Sequence, residues 1–437
     1  MITYYFFGKE QKVYYEKYKN GLDIYFIPNS KRLDYHIELI TKYGSEIEEF
    51  KCRNSNKYTK MPLGTAHFLE HKLFEQEEGE NALDKLTKMG ANPNAYTSFN
   101  HTAYLFDTTD NFTEVFKALM HFVQNPYLTE ENVEKEKGII GQEIGMYDDD
   151  PDWQLFFGFV NCLYGKHAIT KDIAGTVETI SHITPDILYK CYHNFYKPSN
   201  MVICVVGNVN VEEVVNLIKE NVKPKGTMDK IERDYGEEKE EIYQSKIEKE
   251  MEVSLPSFMF GYKDNFNRQK LESGYEQDHK DVLQYDVALQ IALELIAGKS
   301  TNLFEELYSE GLVTREFGLS FTYEEDYAYT SFDNESTNYQ MVVQRVVDRI
   351  EELKKQGVNQ EEFERTKKML YGNFVKRFND VSGVATMVIS DYFKGINTFD
   401  YVKAYEQVDQ KMVEEAIRKH FDESKMAVSV IKPKTSE

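Results

Sequence analysis

Apolar, β-branched composition marks four strands along the chain, at Asp23 to Pro28, Asp34 to Lys42, Met201 to Val206 and Ser254 to Tyr262. Apolar residues recur at helical spacing in Asn111 to Val123, Pro185 to Phe195, Val282 to Ala297, Tyr339 to Lys355 and Gln360 to Phe378. Strands and helices do not alternate strictly, so each half of the chain is expected to be α+β, an antiparallel-rich sheet with helices on one face. Ala91 to Thr97 and Thr102 to Asp107 flank a short polar connection and read as a hairpin. Glu131 to Asp150 reads as an amphipathic helix, with Val133, Ile139, Ile140, Ile144 and Met146 apolar among charges.

The two halves end alike, each with a strand after a helix, at Phe195 to Val206 and at Phe421 to Ile431. Lys223 to Lys249 is rich in Lys and Glu and holds Pro224, Gly226 and Gly236. It reads as a charged linker between domains at 1–222 and 250–437. A chain of 437 residues has ample length for two cores.

A net charge of −22 argues against a nucleic-acid backbone or an anionic membrane surface as partner. No apolar stretch approaches the ~20 residues that span a bilayer, and the opening residues lack a secretory pattern, so a cytoplasmic location is expected. Cys52, Cys162, Cys191 and Cys204 form no C-x-x-C pair and suggest neither disulfides nor a cysteine metal site.

The chemistry is concentrated in His67-Phe68-Leu69-Glu70-His71. Helical geometry brings His67, Glu70 and His71 to one face while Phe68 and Leu69 turn to the core. With 10 His and 74 acidic residues in 437, chance supplies about 0.04 such patterns, so the match is informative. Two imidazoles suit one zinc and leave room for a third protein ligand and a water. Glu136 and Glu143 follow on the Glu131 to Asp150 helix, close to two turns apart, so both carboxylates point the same way.

An H-x-x-E-H helix followed by this glutamate pair resembles the pitrilysin/insulinase family of inverzincin zinc metallopeptidases. Gly64-Thr65-Ala66, the stretch Gly90 to Thr97, and Phe195 to Met201 with Gly207 carry further parts of the family pattern. The likeness is strongest to the short two-domain bacterial branch, and within it to the zinc-binding subunit of Gram-positive bacteria. It implies two related domains in a clam-shell arrangement, one Zn2+ per chain on His67, His71 and Glu143, and Glu70 as the general base. Glu136 becomes a supporting carboxylate of the catalytic set, and Asn94 and Ala95 lie on an edge strand that receives an extended peptide. The implied function is a zinc-dependent endopeptidase acting on peptides or unfolded segments in a closed chamber, leader peptides among the candidates. The alternative is a peptide-binding or assembly subunit with little turnover of its own.

The second half lacks the chemistry. Offset by 230, Glu136 falls on Thr366 and Glu143 on Asn373, and Gly298 to Glu305 keeps a helix start without histidine. This half is expected to fold like the first and bind no metal. Short members of the family usually carry an Arg and a Tyr here to hold substrate. In this chain Asn302 stands at the arginine position, no tyrosine follows Gly311-Leu312, and Arg315 and Tyr323 are the nearby substitutes. The resemblance therefore implies a heterodimer with a related metal-free subunit that supplies the pair. A homodimer stays open.

Overall fold

The computed structural model describes residues 2–6, 9–52, 57–208, 210–223, 231–233, 238–264 and 278–434. They fall into two compact units. One comprises Met1–Gly145, Lys171–Gly236 and Arg377–Phe393, the other Met146–Thr170, Glu237–Lys376 and Lys394–Glu437.

The first unit contains β1 (Ile2–Phe6), β2 (Lys9–Lys17), β3 (Asp23–Pro28), β4 (Tyr35–Thr41), β5 (Glu49–Cys52), β6 (Thr59–Lys60), β7 (Asn92–Thr97), β8 (Thr102–Thr108), β9 (Met201–Gly207) and β10 (Ile231–Arg233). Seven of these form a sheet in the order β1-β2-β3-β9-β4-β8-β7, and β10-β5-β6 form a small second sheet. β3 and β9 pair in parallel, whereas the other neighbours of the large sheet are antiparallel. β9, Met-Val-Ile-Cys-Val-Val-Gly, is buried at every residue. That suits an apolar, β-branched run in mid-sheet.

The second unit contains β11 (Lys246–Met251), β12 (Ser257–Lys263), β13 (Gly318–Tyr323), β14 (Ala328–Glu335) and β15 (Met426–Pro433), ordered β11-β15-β12-β14-β13. β11 and β15 pair in parallel and the rest antiparallel. This order repeats β3-β9-β4-β8-β7 strand for strand, with the parallel pair in the same place. The two halves are therefore duplicates in topology, and the mixed α+β architecture read from the sequence holds. Of the charged segment Lys223 to Lys249, Ile231–Arg233 joins the first unit's small sheet and Lys246–Met251 opens the second unit's sheet. Pro224, Gly226 and Gly236 lie outside the described residues.

Each unit borrows a helix from the other half of the chain. Val381–Phe393 packs on β9 and β4, burying Val384, Ala385, Val388 and Ile389, and its Thr386 hydroxyl donates to Glu38 on β4 at 3.1 Å. Pro151–Leu163 packs on β15, β12 and β11, where Leu155 joins Met251 and Ile431 in one apolar cluster. Its start is well specified: the Asp150 carboxylate accepts from the Asp152 and Trp153 backbone N–H groups, and Pro151 stands at the first helical position. Gly158 permits the close approach, since a Cβ there would lie 2.4 Å from Ser429 Oγ. No helix among the described residues is long and apolar enough to cross a membrane.

Candidate metal centre and active site

The Thr65–Leu73 helix begins at Gly64, whose φ of 85° is left-handed and where a Cβ would lie 2.3 Å from the Ala174 carbonyl oxygen. Eight of its nine residues are buried, and Phe68 and Leu69 are wholly enclosed. Only His71 reaches partial exposure, so the helix is held by burial on nearly every side. Glu136 and Glu143 come from the Glu130–Asp149 helix, which packs through Val133, Ile140 and Ile144. Ile139 and Met146, expected among its apolar anchors, are instead 47% and 71% exposed. Their angular position on the helix lies away from the buried stripe.

His67, His71 and Glu143 bring one ligating atom each to within 4.8 Å of one another, and among the described residues no other His, Cys, Asp and Glu group does so. The two Nε2 atoms each stand 3.6 Å from a different oxygen of the Glu143 carboxylate. That is too long for a good hydrogen bond and close to the roughly 3.4 Å between two ligands that share a tetrahedral ion at about 2.0–2.1 Å.

Glu136 sets the tautomer of His71. Its Nδ1 lies 3.1 Å from Glu136 Oε1, and an ionised carboxylate can only accept, so Nδ1 carries the proton. In the neutral ring, Nε2 then points a lone pair toward the Glu143 carboxylate, a repulsion that a metal ion between them or a second ring proton relieves. Burial disfavours the imidazolium, but the Glu136 hydrogen bond and the charges of Glu70 and Glu143 outweigh it, so the pKa of His71 is raised. His67 Nδ1 is buried without a hydrogen-bond partner among the described residues. Glu70, Glu136 and Glu143 crowd negative charge here, and the donor set fits a divalent metal such as zinc.

Two residues that the sequence reading passed over complete the surroundings. Lys72 is 0% exposed and its ammonium lies 3.3 Å from Glu136 Oε2 and 2.7 Å from Glu75. Glu136 is thus clamped between His71 and Lys72. Burial would raise its pKa, yet these two partners prevail and lower it. The only available signal was a lysine in a helix with no solvated face. The other residue is Thr97, whose hydroxyl donates to Glu70 Oε2 at 2.8 Å. Glu70 is 5% exposed, and burial raises its pKa against the opposing pull of His67, Thr97 and His71.

Asn94 and Ala95 lie on β7, at the open edge of the seven-stranded sheet. The Ala95 N–H is taken by the Asn94 side-chain oxygen at 2.9 Å, so it points away from β8 toward that edge. Of the residues considered for the second half, Tyr323 is buried in its own unit, its hydroxyl 3.0 Å from that of Tyr401. Arg315 is exposed, lying over the Tyr308 ring at 5.5 Å.

The family profile described as insulinase (peptidase family M16) matches residues 54–176, and that of the peptidase M16 inactive domain matches residues 182–370. An uncharacterized zinc protease of Bacillus subtilis (strain 168), YmfH, is 36% identical over 98% of both chains. The chain belongs to the insulinase family. The crystal structure of a putative M16-like peptidase from Alicyclobacillus acidocaldarius shares 29% identity at a TM-score of 0.90, covering 97% of this chain and 99% of that one. The zinc protease PqqE of Helicobacter pylori is 24% identical, over 95% of this chain and 91% of its own. The insulinase-family relatives are named zinc proteases, which agrees with a donor set of two imidazoles and a carboxylate.

Proposed function

We propose that this chain is a zinc-dependent endopeptidase subunit that cleaves peptides and unfolded segments. The observation that carries the reading is the convergence of His67, His71 and Glu143 beside a buried, hydrogen-bonded Glu70. His67, His71 and Glu143 would hold Zn2+, which when bound makes water a stronger acid and polarises a carbonyl. Glu136 and Lys72 fix the His71 ring and its tautomer. Glu70 takes a proton from the attacking water and returns it to the leaving amine. The edge of β7 at Asn94 and Ala95 adds the substrate as an extended strand, a backbone-directed mode that tolerates many side chains. A substrate carbonyl replaces the Asn94 oxygen at the Ala95 N–H.

The second unit's own Tyr323 is engaged with Tyr401, which supports a partner subunit as the source of carbonyl-polarising groups. We infer a heterodimer with a related, metal-free subunit.

The test is cleavage of a quenched-peptide library by purified protein with zinc quantified, wild type against Glu70→Gln, each with and without that partner. About one zinc per chain is expected, with turnover about 10²–10⁴-fold lower in the variant. Stoichiometric zinc without cleavage under any condition would point to a peptide-binding or assembly subunit instead.

A further inference from the structure

Thr97 closes the β7–β8 hairpin, and its hydroxyl is the sole hydrogen-bond partner of Glu70 among the described residues. We propose that Thr97 is a positioning residue that sets which oxygen of Glu70 accepts the proton, and that it ties the base to the strand on which substrate docks. The proposal rests on the peptidase reading above.

The proton positions follow from the neighbours. Thr102 Oγ1 donates its one hydrogen to the Tyr43 carbonyl at 2.8 Å, so the 3.3 Å contact between Thr97 and Thr102 does not use that proton. Thr97 is free to donate, and an ionised Glu70 can only accept. Oε2 is thereby occupied at 2.8 Å, and Oε1 makes no hydrogen bond among the described residues. The two oxygens of the base are not equivalent. Oε1 is the one left for the proton.

The link to the substrate strand follows from the ladder. The Ser98 N–H donates to the His101 carbonyl at 2.8 Å while the His101 N–H goes to Ser98 Oγ at 3.2 Å, so Ser98 and His101 face each other through one backbone bond at the position of a hydrogen-bonded pair. Pairs alternate along an antiparallel ladder, so Thr97↔Thr102 and Ala95↔Tyr104 are non-hydrogen-bonded pairs. Ala95 and Thr97 therefore both direct their backbone N–H and C=O toward the open edge, as the Asn94–Ala95 contact shows independently. Side chains alternate too, so Pro93, Ala95 and Thr97 face the side of the sheet where Glu70 lies. A peptide that pairs with Ala95 fixes the same segment whose next outward residue holds the base. Docking and base orientation are one mechanical event.

The experiment compares Thr97→Val, which keeps the shape and removes the hydroxyl, with Thr97→Ser, which keeps the hydroxyl. Thr97→Val is expected to lower kcat by about 10- to 100-fold with KM and zinc content nearly unchanged, and Thr97→Ser to restore most of the rate. The second readout is the carboxyl 13C resonance of Glu70 in labelled protein, assigned through Glu70→Gln. It should move in Thr97→Val and stay in Thr97→Ser. Equal impairment of both variants, or an unmoved resonance in Thr97→Val, overturns the proposal. Should the wild type cleave nothing, the peptidase reading fails by itself, and the resonance alone decides whether Thr97 holds Glu70.

Discussion

The sheets β3-β9-β4-β8-β7 and β11-β15-β12-β14-β13 have one topology and two fates. Counted from the first residue of the helix in each half, Thr65–Leu73 and Asn302–Ser309, His67 meets Phe304, Glu70 meets Leu307 and His71 meets Tyr308. The histidine pair has become a stacked Phe304–Tyr308 pair, 5.9 Å between centroids, and Glu70 has given way to a buried leucine. The glutamate helix has its own counterpart, Glu130 at its start against Gln360, but that helix offers Thr366 and Asn373. Between the second unit's two helices lies a polar cavity of about 740 Å³, lined by Thr301, Asn302 and Thr366 among others. The contrast teaches that the scaffold is reusable, and that the two halves part at five side chains on two helices, His67, Glu70, His71, Glu136 and Glu143.

The largest expected separation between the halves is in metal content. Glu143→Gln should weaken zinc binding by more than about 100-fold, while the register-matched Asn373→Ala leaves it unchanged, as read by metal analysis after dialysis. Equal zinc in both variants would break the comparison.

Next comes the clamp. Lys72→Met leaves Glu136 buried without its ammonium and should cost about 3–5 kcal/mol in denaturant unfolding. The second unit's Arg345–Glu310 pair is exposed, although bidentate at 2.8 Å, and Arg345→Ala should cost far less.

The smallest effect is in pH. His36, buried on β4, is disfavoured as a cation by burial, but Asp107 at 2.8 Å and Glu38 at 3.0 Å more than compensate and raise its pKa to about 9. A raised folded-state pKa gives stability that is complete below the unfolded value near 6.5 and is lost as pH rises through 9. Melting temperature should therefore fall over that window, and His36→Gln should flatten the fall. A wild-type profile as flat as the variant's would remove the charged network from the account.

Much of this was readable from the sequence where local rules suffice. Pro185–Phe195 was expected with these same ends because Pro185 occupies the first turn, and the Thr184 hydroxyl accepts from the Ile187 N–H. His67, His71 and Glu143 converge because helical spacing dictates the first pair, while the family pattern supplied the third. Ile139 and Met146 misled because hydrophobicity alone does not say which side of a charged helix meets a neighbour. Thr97 and Lys72 acquire meaning only through partners 27 and 64 residues away. The exchange of the Pro151–Leu163 and Val381–Phe393 helices leaves no periodic trace, since a helix's pattern records that it has a buried face but not which sheet covers it.

That exchange sets a clock on biosynthesis. β9, the last strand of the first unit's large sheet, ends at Gly207, whereas the helix that covers it begins at Val381. A ribosome adding about 5–20 residues per second needs roughly 10–30 seconds to cross that interval. Throughout it the nascent sheet lacks this helix, and the half of the protein that carries His67, His71 and Glu143 stays uncovered on that side until Phe393 has been added.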